Sequence, residues 1–198
     1  MHITKYTHAC VRLEHEGRVL VIDPGAWSEP EALDGADAVL VTHEHADHIE
    51  ATRLATAGLP VFAPAGAVID GVEVTRVTSG QVFEAAGFTV EAVGDRHAFI
   101  YGELPDCPNL GYIVDGRVYH PGDALFVPAQ PIETLFVPAQ APWLKLAEAI
   151  DFVRAIGPGQ AIPIHNAGIS DLGRTSINAW HARVTHSGYR YLAPGESA

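Results

Sequence analysis

A four-residue apolar run, Ala38-Val39-Leu40-Val41, delivers the chain directly into Thr42-His43-Glu44-His45-Ala46-Asp47-His48. A run with no polar alternation is the pattern of a strand covered on both faces, so this chain needs a layer on each side of its sheet. The polar stretch then sits at the end of a buried strand. In an extended segment His43 and His45 project to the same side, which lets two imidazoles meet one ion. The chain turns next, and Asp47 and His48 stand adjacent on a loop or first helical turn, facing a second ion. Three imidazoles and one hard carboxylate suit borderline divalent metals. The competing interpretation is a polar loop before a helix, with Asp47 as its N-cap. Three histidines and an aspartate within six residues favour the metal.

The rest of the chain punctuates itself with glycine and proline. Residues 9–15 and 18–23 are apolar-rich runs around Glu16-Gly17 and predict a hairpin ending at Asp23-Pro24; residues 114–118 around Asp115-Gly116 predict another. A helix is predicted over 49–57. A second places Leu146, Ala149, Ile150 and Val153 on one face and stops at Gly157-Pro158-Gly159. A third stripe, Ile177, Trp180 and Val184, has Thr175 or Ser176 as N-cap and Gly188 beyond its end. The order of strands and helices predicts a layered α/β protein. Residues 125–130 repeat as 135–140, Leu-Phe-Val-Pro-Ala-Gln, which is either two similar strand-to-loop transitions or coincidence.

At 198 residues the chain is read as a single unit, 1–198, and its 47% hydrophobic and 18% charged residues exclude disorder. Twelve Lys and Arg against twenty-four Asp and Glu leave a net charge of -12, a poor match to nucleic acid. No apolar run approaches membrane-spanning length and no leader pattern precedes the first polar segment. Cys10 and Cys107 are too few for a cysteine-based zinc site and suit free thiols in the cytoplasm. Motifs for a serine nucleophile elbow, a P-loop and a dinucleotide fingerprint are lacking.

Other candidate ligands lie further on. His97 follows Val90-Glu91-Ala92-Val93 at a strand exit, Asp123 follows Gly122 in a turn after a strand ending at Tyr119, and His165 follows the strand-like 161–164. Together with His8, Asp23-Pro24 and the H-x-H-x-D-H stretch, they occur in an order that resembles the metallo-β-lactamase fold superfamily of binuclear metal hydrolases. The similarity runs from about Ile3 to His165 and is to the small one-domain branch containing ascorbate-phosphate lactonase-like hydrolases and their relatives. The resemblance implies a four-layered αββα sandwich with its site at one edge, between the sheets. It also implies that His43, His45 and His97 hold one metal, that Asp47, His48 and His165 hold the other, and that Asp123 bridges them. His8 and Asp23 match positions that support the ligands, and are not assigned as ligands.

His120, three residues before Asp123, is read as a satisfied near-core imidazole. Trp143 and Lys145 precede the second helix and reach a pocket rim or simply pack there. His2, His15, His181 and His186 fit surface or helix-face positions. The resemblance implies two divalent ions, zinc first, with manganese or iron also compatible. Held about 3.5–4 Å apart, such ions make hydroxide available between them at neutral pH. Asp47, as ligand or hydrogen-bond partner of the nucleophile, is placed to shuttle a proton. The expected reaction is hydrolysis of a small-molecule ester, lactone or phosphoester. The alternatives are an iron-dependent oxygenase relative and a noncatalytic metal- or ligand-binding module. Oligomeric state stays open.

Overall fold

The computed structural model describes residues 1–104 and 106–198. In chain order β1 (His2–Lys5), β2 (Val11–His15), β3 (Arg18–Ile22), β4 (Ala38–Leu40), β5 (Val61–Pro64) and β6 (Thr75–Val77) lie side by side in one sheet. The chain then crosses to a second sheet and runs through β7 (Val82–Ala85), β8 (Phe88–Val93), β9 (Gly111–Val114), β10 (Val118–His120), β11 (Thr134–Pro138), β12 (Gln160–Ile164) and β13 (Gly188–Tyr189). The last strand, β14 (Glu196–Ser197), returns to the first sheet and pairs antiparallel with β1. Each sheet has seven strands.

Local chemistry explains the turns. In β2–β3 the partners His15 and Arg18 enclose Glu16 and Gly17, both in the left-handed region at φ 49° and 76°, the two-residue hairpin geometry that twisted strands favour. Asp115 and Gly116 adopt φ 50° and 65° between β9 and β10. Both hairpins lie where the glycine-containing dipeptides place them.

Three apolar clusters define the layers. Leu20, Ile22 and Leu40 point inward and meet Phe88, Tyr112 and Phe136 between the sheets. The alternate residues Val21, Val39 and Val41 point outward and meet Leu54, because successive strand side chains face opposite ways. Leu54 is the buried side chain of α1 (Ala51–Ala57), whose ends are closed by the Glu50 carboxylate accepting from the Arg53 N–H and by left-handed Gly58. On the far side Ile113, Leu135 and Val137 pack against Ala149, Phe152 and Val153 of α2 (Leu146–Ile156), stopped by Gly157 at φ 61°. The four-layered αββα sandwich is therefore present, with every fully buried aliphatic side chain contributing about 1.5–3 kcal/mol. No helix among the described residues is long and apolar enough to cross a membrane.

Two expectations for the third helix need correction, and the alternative left open for the repeated hexapeptide is decided. The third helix, α3 (Asp171–Val184), starts ahead of Thr175 and Ser176 because the Ser170 hydroxyl accepts from the Gly173 N–H and caps it. Its buried face carries His181 rather than Trp180, which is 48% exposed. His181 is fully buried and stacks on Tyr189, with ring centroids 4.5 Å apart. Finally, the two hexapeptides do not share a structure: the second belongs largely to β11, whereas 125–130 forms no strand. Their identity is coincidental.

Candidate metal centre

All the candidate side chains hang from strand ends at one edge of the sandwich. His8 lies between β1 and β2, Asp23 follows β3, and 43–48 follow β4; from the second sheet, His97 follows β8, Asp123 follows β10 and His165 follows β12. After β4 the chain tightens so that the N–H groups of His48 and Ile49 both donate to the His45 carbonyl, at 2.9 and 3.0 Å. This turn carries Asp47 toward His8 and His165 while the His48 ring stays 4.0 Å from that of His43. Asp47 is not a helix cap; Glu50 fills that role.

Close backbone packing holds the turn down. A Cβ on Gly25 would lie 1.9 Å from the Asp47 carbonyl oxygen, so only glycine fits beneath that loop. Three non-glycine residues at the centre, His8, Asp23 and His165, adopt left-handed backbone at φ 66°, 52° and 54°. Such conformations cost of order 1 kcal/mol or more each and persist where neighbours over-determine them. Here the His165 N–H donates to the His8 carbonyl at 3.1 Å and the Asp23 N–H to the Leu40 carbonyl at 3.0 Å.

The side chains converge in three overlapping groups whose potential ligand atoms lie within 4.8 Å of one another: His43, His45 and His97; His8, Asp47, His48 and His165; and His43, His48 and Asp123. Asp123 connects them. Its Oδ1 is 3.2 Å from His48 Nε2, and its Oδ2 is 3.4 Å from His97 Nε2 and 3.0 Å from His165 Nε2. Asp47 Oδ2 lies 3.0 Å from His8 Nε2 and 3.4 Å from His165 Nε2.

The outer ring nitrogens are already engaged. His97 Nδ1 donates to the Ala98 carbonyl and His165 Nδ1 to the Gln140 carbonyl, each at 2.6 Å; His48 Nδ1 donates to Asp23 Oδ2 at 2.7 Å. Asp23 is fixed in turn by the Thr42 N–H at 2.8 Å and the Thr42 hydroxyl at 2.7 Å. With Nδ1 serving as donor, the Nε2 lone pairs face inward. Buried Nε2 atoms of His43, His48 and His97, and Oδ1 of Asp123, have no hydrogen bond of acceptable geometry. Buried polar atoms are ordinarily satisfied. A cluster of inward lone pairs around carboxylates fits a cation, so these residues suit the divalent ions that the donor types imply.

Electrostatics divide the imidazoles into two kinds, one kept neutral by burial and one drawn toward positive charge by the carboxylates. Burial pushes His43 well below the ordinary imidazole range, with His48 adding to the effect, and burial next to His97 lowers His45. Both stay neutral and able to ligate. Burial opposes charge on His48, but Asp123 and Asp23 outweigh it and raise its pKa well above the ordinary value. For His165 burial is likewise outweighed, by hydrogen bonds to Asp123 and Asp47, and the value rises to about 9. Although burial favours the protonated acids, the surrounding imidazoles hold Asp123 and Asp47 far below the carboxylate range.

Each of His43, His45, Asp47, His48, His97, Asp123 and His165 thus lies within this one cluster. His8, read from sequence as a supporting residue, stands among the potential ligand atoms, its ring packed edge-on against Trp27 at 4.7 Å. Sequence reasoning missed Asn109 entirely. Its buried amide accepts from the Asp123 N–H through Oδ1 and donates to the Pro121 carbonyl through Nδ2, both at 2.9 Å, locking the turn that presents Asp123. No local pattern marks it. Gly122 is required in the same turn, since a Cβ there would lie 2.3 Å from Asn109 Oδ1 at a φ of 62°. Trp143 reaches the centre, whereas Lys145 is exposed and pairs with Glu148.

Comparison with known proteins follows the same lines. The model of the beta-lactamase superfamily domain matches residues 2–165, a span that holds every member of the three groups. Protein Rv0786c of Mycobacterium tuberculosis is 38% identical over 210 aligned residues, covering 100% of this chain and 99% of that protein. The UPF0173 metal-dependent hydrolase Ta0764 of Thermoplasma acidophilum is 30% identical over 189 residues, 83% of each chain. Among solved structures, Igni18, a metallo hydrolase from Ignicoccus hospitalis, superposes with a TM-score of 0.79 at 20% identity, covering 100% of this chain and 97% of its own. That last likeness is one of fold.

Proposed function

The chain belongs to the beta-lactamase superfamily domain family, and on that premise we propose that it is a metal-dependent hydrolase with a binuclear centre. The bond it cleaves is an ester, lactone or phosphoester in a small molecule. The observation that carries this reading is the placement of Asp123, whose two oxygens lie 3.0–3.4 Å from imidazoles of both ligand groups. His43, His45 and His97 would hold one ion, Asp47, His48 and His165 the other, with Asp123 shared. Zinc heads the list of ions, and manganese and iron suit the same donors. When bound, such a pair would supply hydroxide at neutral pH and polarise the substrate oxygen.

The protein's own contribution is orientation. Asp23 and the backbone carbonyls of Ala98 and Gln140 fix the tautomers of His48, His97 and His165. His8 hydrogen-bonds Asp47 Oδ2 at 3.0 Å and steadies a carboxylate that is 22% exposed and placed to act as a ligand or as hydrogen-bond partner of the nucleophile. A net charge of -12 disfavours nucleic acid as substrate. The free thiols Cys10 and Cys107 suit the reducing cytoplasm.

The test is metal analysis of purified protein beside hydrolysis of an ester, lactone and phosphodiester panel, before and after chelation. About two ions per chain and chelator-sensitive turnover are expected. Fully loaded protein that hydrolyses none of the three classes overturns the reading, and dioxygen consumption by the iron-loaded form would move it to redox chemistry.

A further inference from the structure

We propose that the pocket beside the His45 and His97 side of the centre is an apolar subsite, and that it selects a neutral substrate carrying an alkyl or aryl group. The inference rests on the hydrolase reading above and narrows its substrate class. A cavity of about 290 Å³ opens between these two imidazoles and the chain that follows His97, with Phe99, Ile100, Leu104 and Cys107 in its wall. It therefore runs directly from the place where bond cleavage would occur.

Three observations define what fits. Phe99, Tyr101 and Leu104 are 76%, 79% and 57% exposed, three large apolar side chains within six residues. Clustered exposure of this kind marks a binding surface, whereas scattered single residues need no explanation. The charge in the wall cancels: Arg96 and Asp106 line the cavity and pair with each other at 2.7 Å. Among the described lining residues no other Lys or Arg stands ready for a phosphate or carboxylate. On the inner side, the Cys107 side chain lies 3.7 Å from His45 Nε2 and offers a small, soft, weakly polar surface. The cavity is large enough to admit a hexyl or phenyl substituent.

The experiment uses the metal-loaded protein. Hydrolysis of methyl hexanoate is compared with methyl acetate and dimethyl phosphate, so that the acyl chain is the one group able to fill the pocket, and binding of the non-reacting hexanamide and acetamide is followed by NMR. Four methylenes partly withdrawn from water predict at least a roughly tenfold preference for the six-carbon chain in both kcat/KM and affinity, with the phosphodiester slowest. In the double variant Phe99→Ser, Leu104→Ser both ratios collapse toward one; the two side chains are exposed, so folding is not at stake. A wild-type ratio near one, a preference for the phosphodiester, or a ratio unchanged in the variant overturns the subsite. Amide discrimination without hydrolysis of any substrate would overturn the hydrolase reading while leaving the ligand class of the pocket standing.

Discussion

The indole Nε1 of Trp143 donates to Oδ2 of Asp123 at 3.1 Å. The same ring stands edge-on to His97 and His165, at centroid distances of 6.0 and 6.4 Å. One side chain from the loop before α2 thus holds the rotamer of the carboxylate on which the three ligand groups converge. A hydrogen bond to an ionised acceptor is worth about 1.5–3 kcal/mol. Trp143→Phe keeps the aromatic wall and deletes the donor. We expect kcat to fall roughly tenfold or more, with metal content near wild type and little change in KM. A rise in KM alone would reduce Trp143 to a wall residue.

Asp123→Asn exchanges the connecting carboxylate for a neutral, weaker ligand. The variant should retain at most one tightly held ion per chain and lose about two orders of magnitude or more in turnover of any responsive substrate. Its circular dichroism should stay native, because the three apolar clusters do not include this side chain. Equal hydrolysis by both proteins would locate the activity elsewhere.

His120 is fully buried close to the centre and belongs to none of the ligand groups. Its Nε2 meets the Ala9 carbonyl at 2.8 Å and its Nδ1 accepts from the Gly122 N–H at 3.2 Å, so neither nitrogen is free for an ion. His120→Ala should keep its metal while losing about 2–4 kcal/mol of stability, from two orphaned backbone groups and a cavity. Metal analysis beside denaturant unfolding checks both halves. Loss of both ions in folded protein would make His120 a ligand.

His181 supplies a pH test remote from the centre. Burial lowers its pKa to about 4, and neither ring nitrogen has a hydrogen-bond partner. A base whose folded value is depressed leaves stability intact above its unfolded value, about 6.5, and removes it as pH falls from there toward 4. His181→Phe keeps the stacking on Tyr189 and cannot take up the proton. Between pH 7 and 4 the wild type should lose up to about 3 kcal/mol more than the variant. Parallel unfolding curves at the two pH values would show that His181 does not couple to folding.

How much of this was legible in the sequence depends on the range over which each feature is encoded. The hairpins at Glu16-Gly17 and Asp115-Gly116, the end of α2 at Gly157 and the layer-covered run 38–41 follow from neighbours within a few positions, where φ preferences and side-chain alternation act. The H-x-H-x-D-H stretch carries its chemistry in the same local way, since the donor types and their spacing are written in adjacent residues. The αββα arrangement was reachable only by way of family resemblance, because strand order depends on pairings between segments distant in the chain. β14 shows this: two short residues, Glu196 and Ser197, become a strand because β1 offers an unpaired edge.

The tertiary structure decided everything that depends on which loops meet. It brought His8 beside Asp47 and His165, set the Asn109 amide under Asp123, aimed Trp143 at the same carboxylate, and turned His181 inward while leaving Trp180 exposed. Composition and periodicity describe how one segment divides between water and core. They do not record which distant side chain fills the remaining space, because that choice is made by the packing of two sheets against each other and by the need of each buried polar atom for a partner.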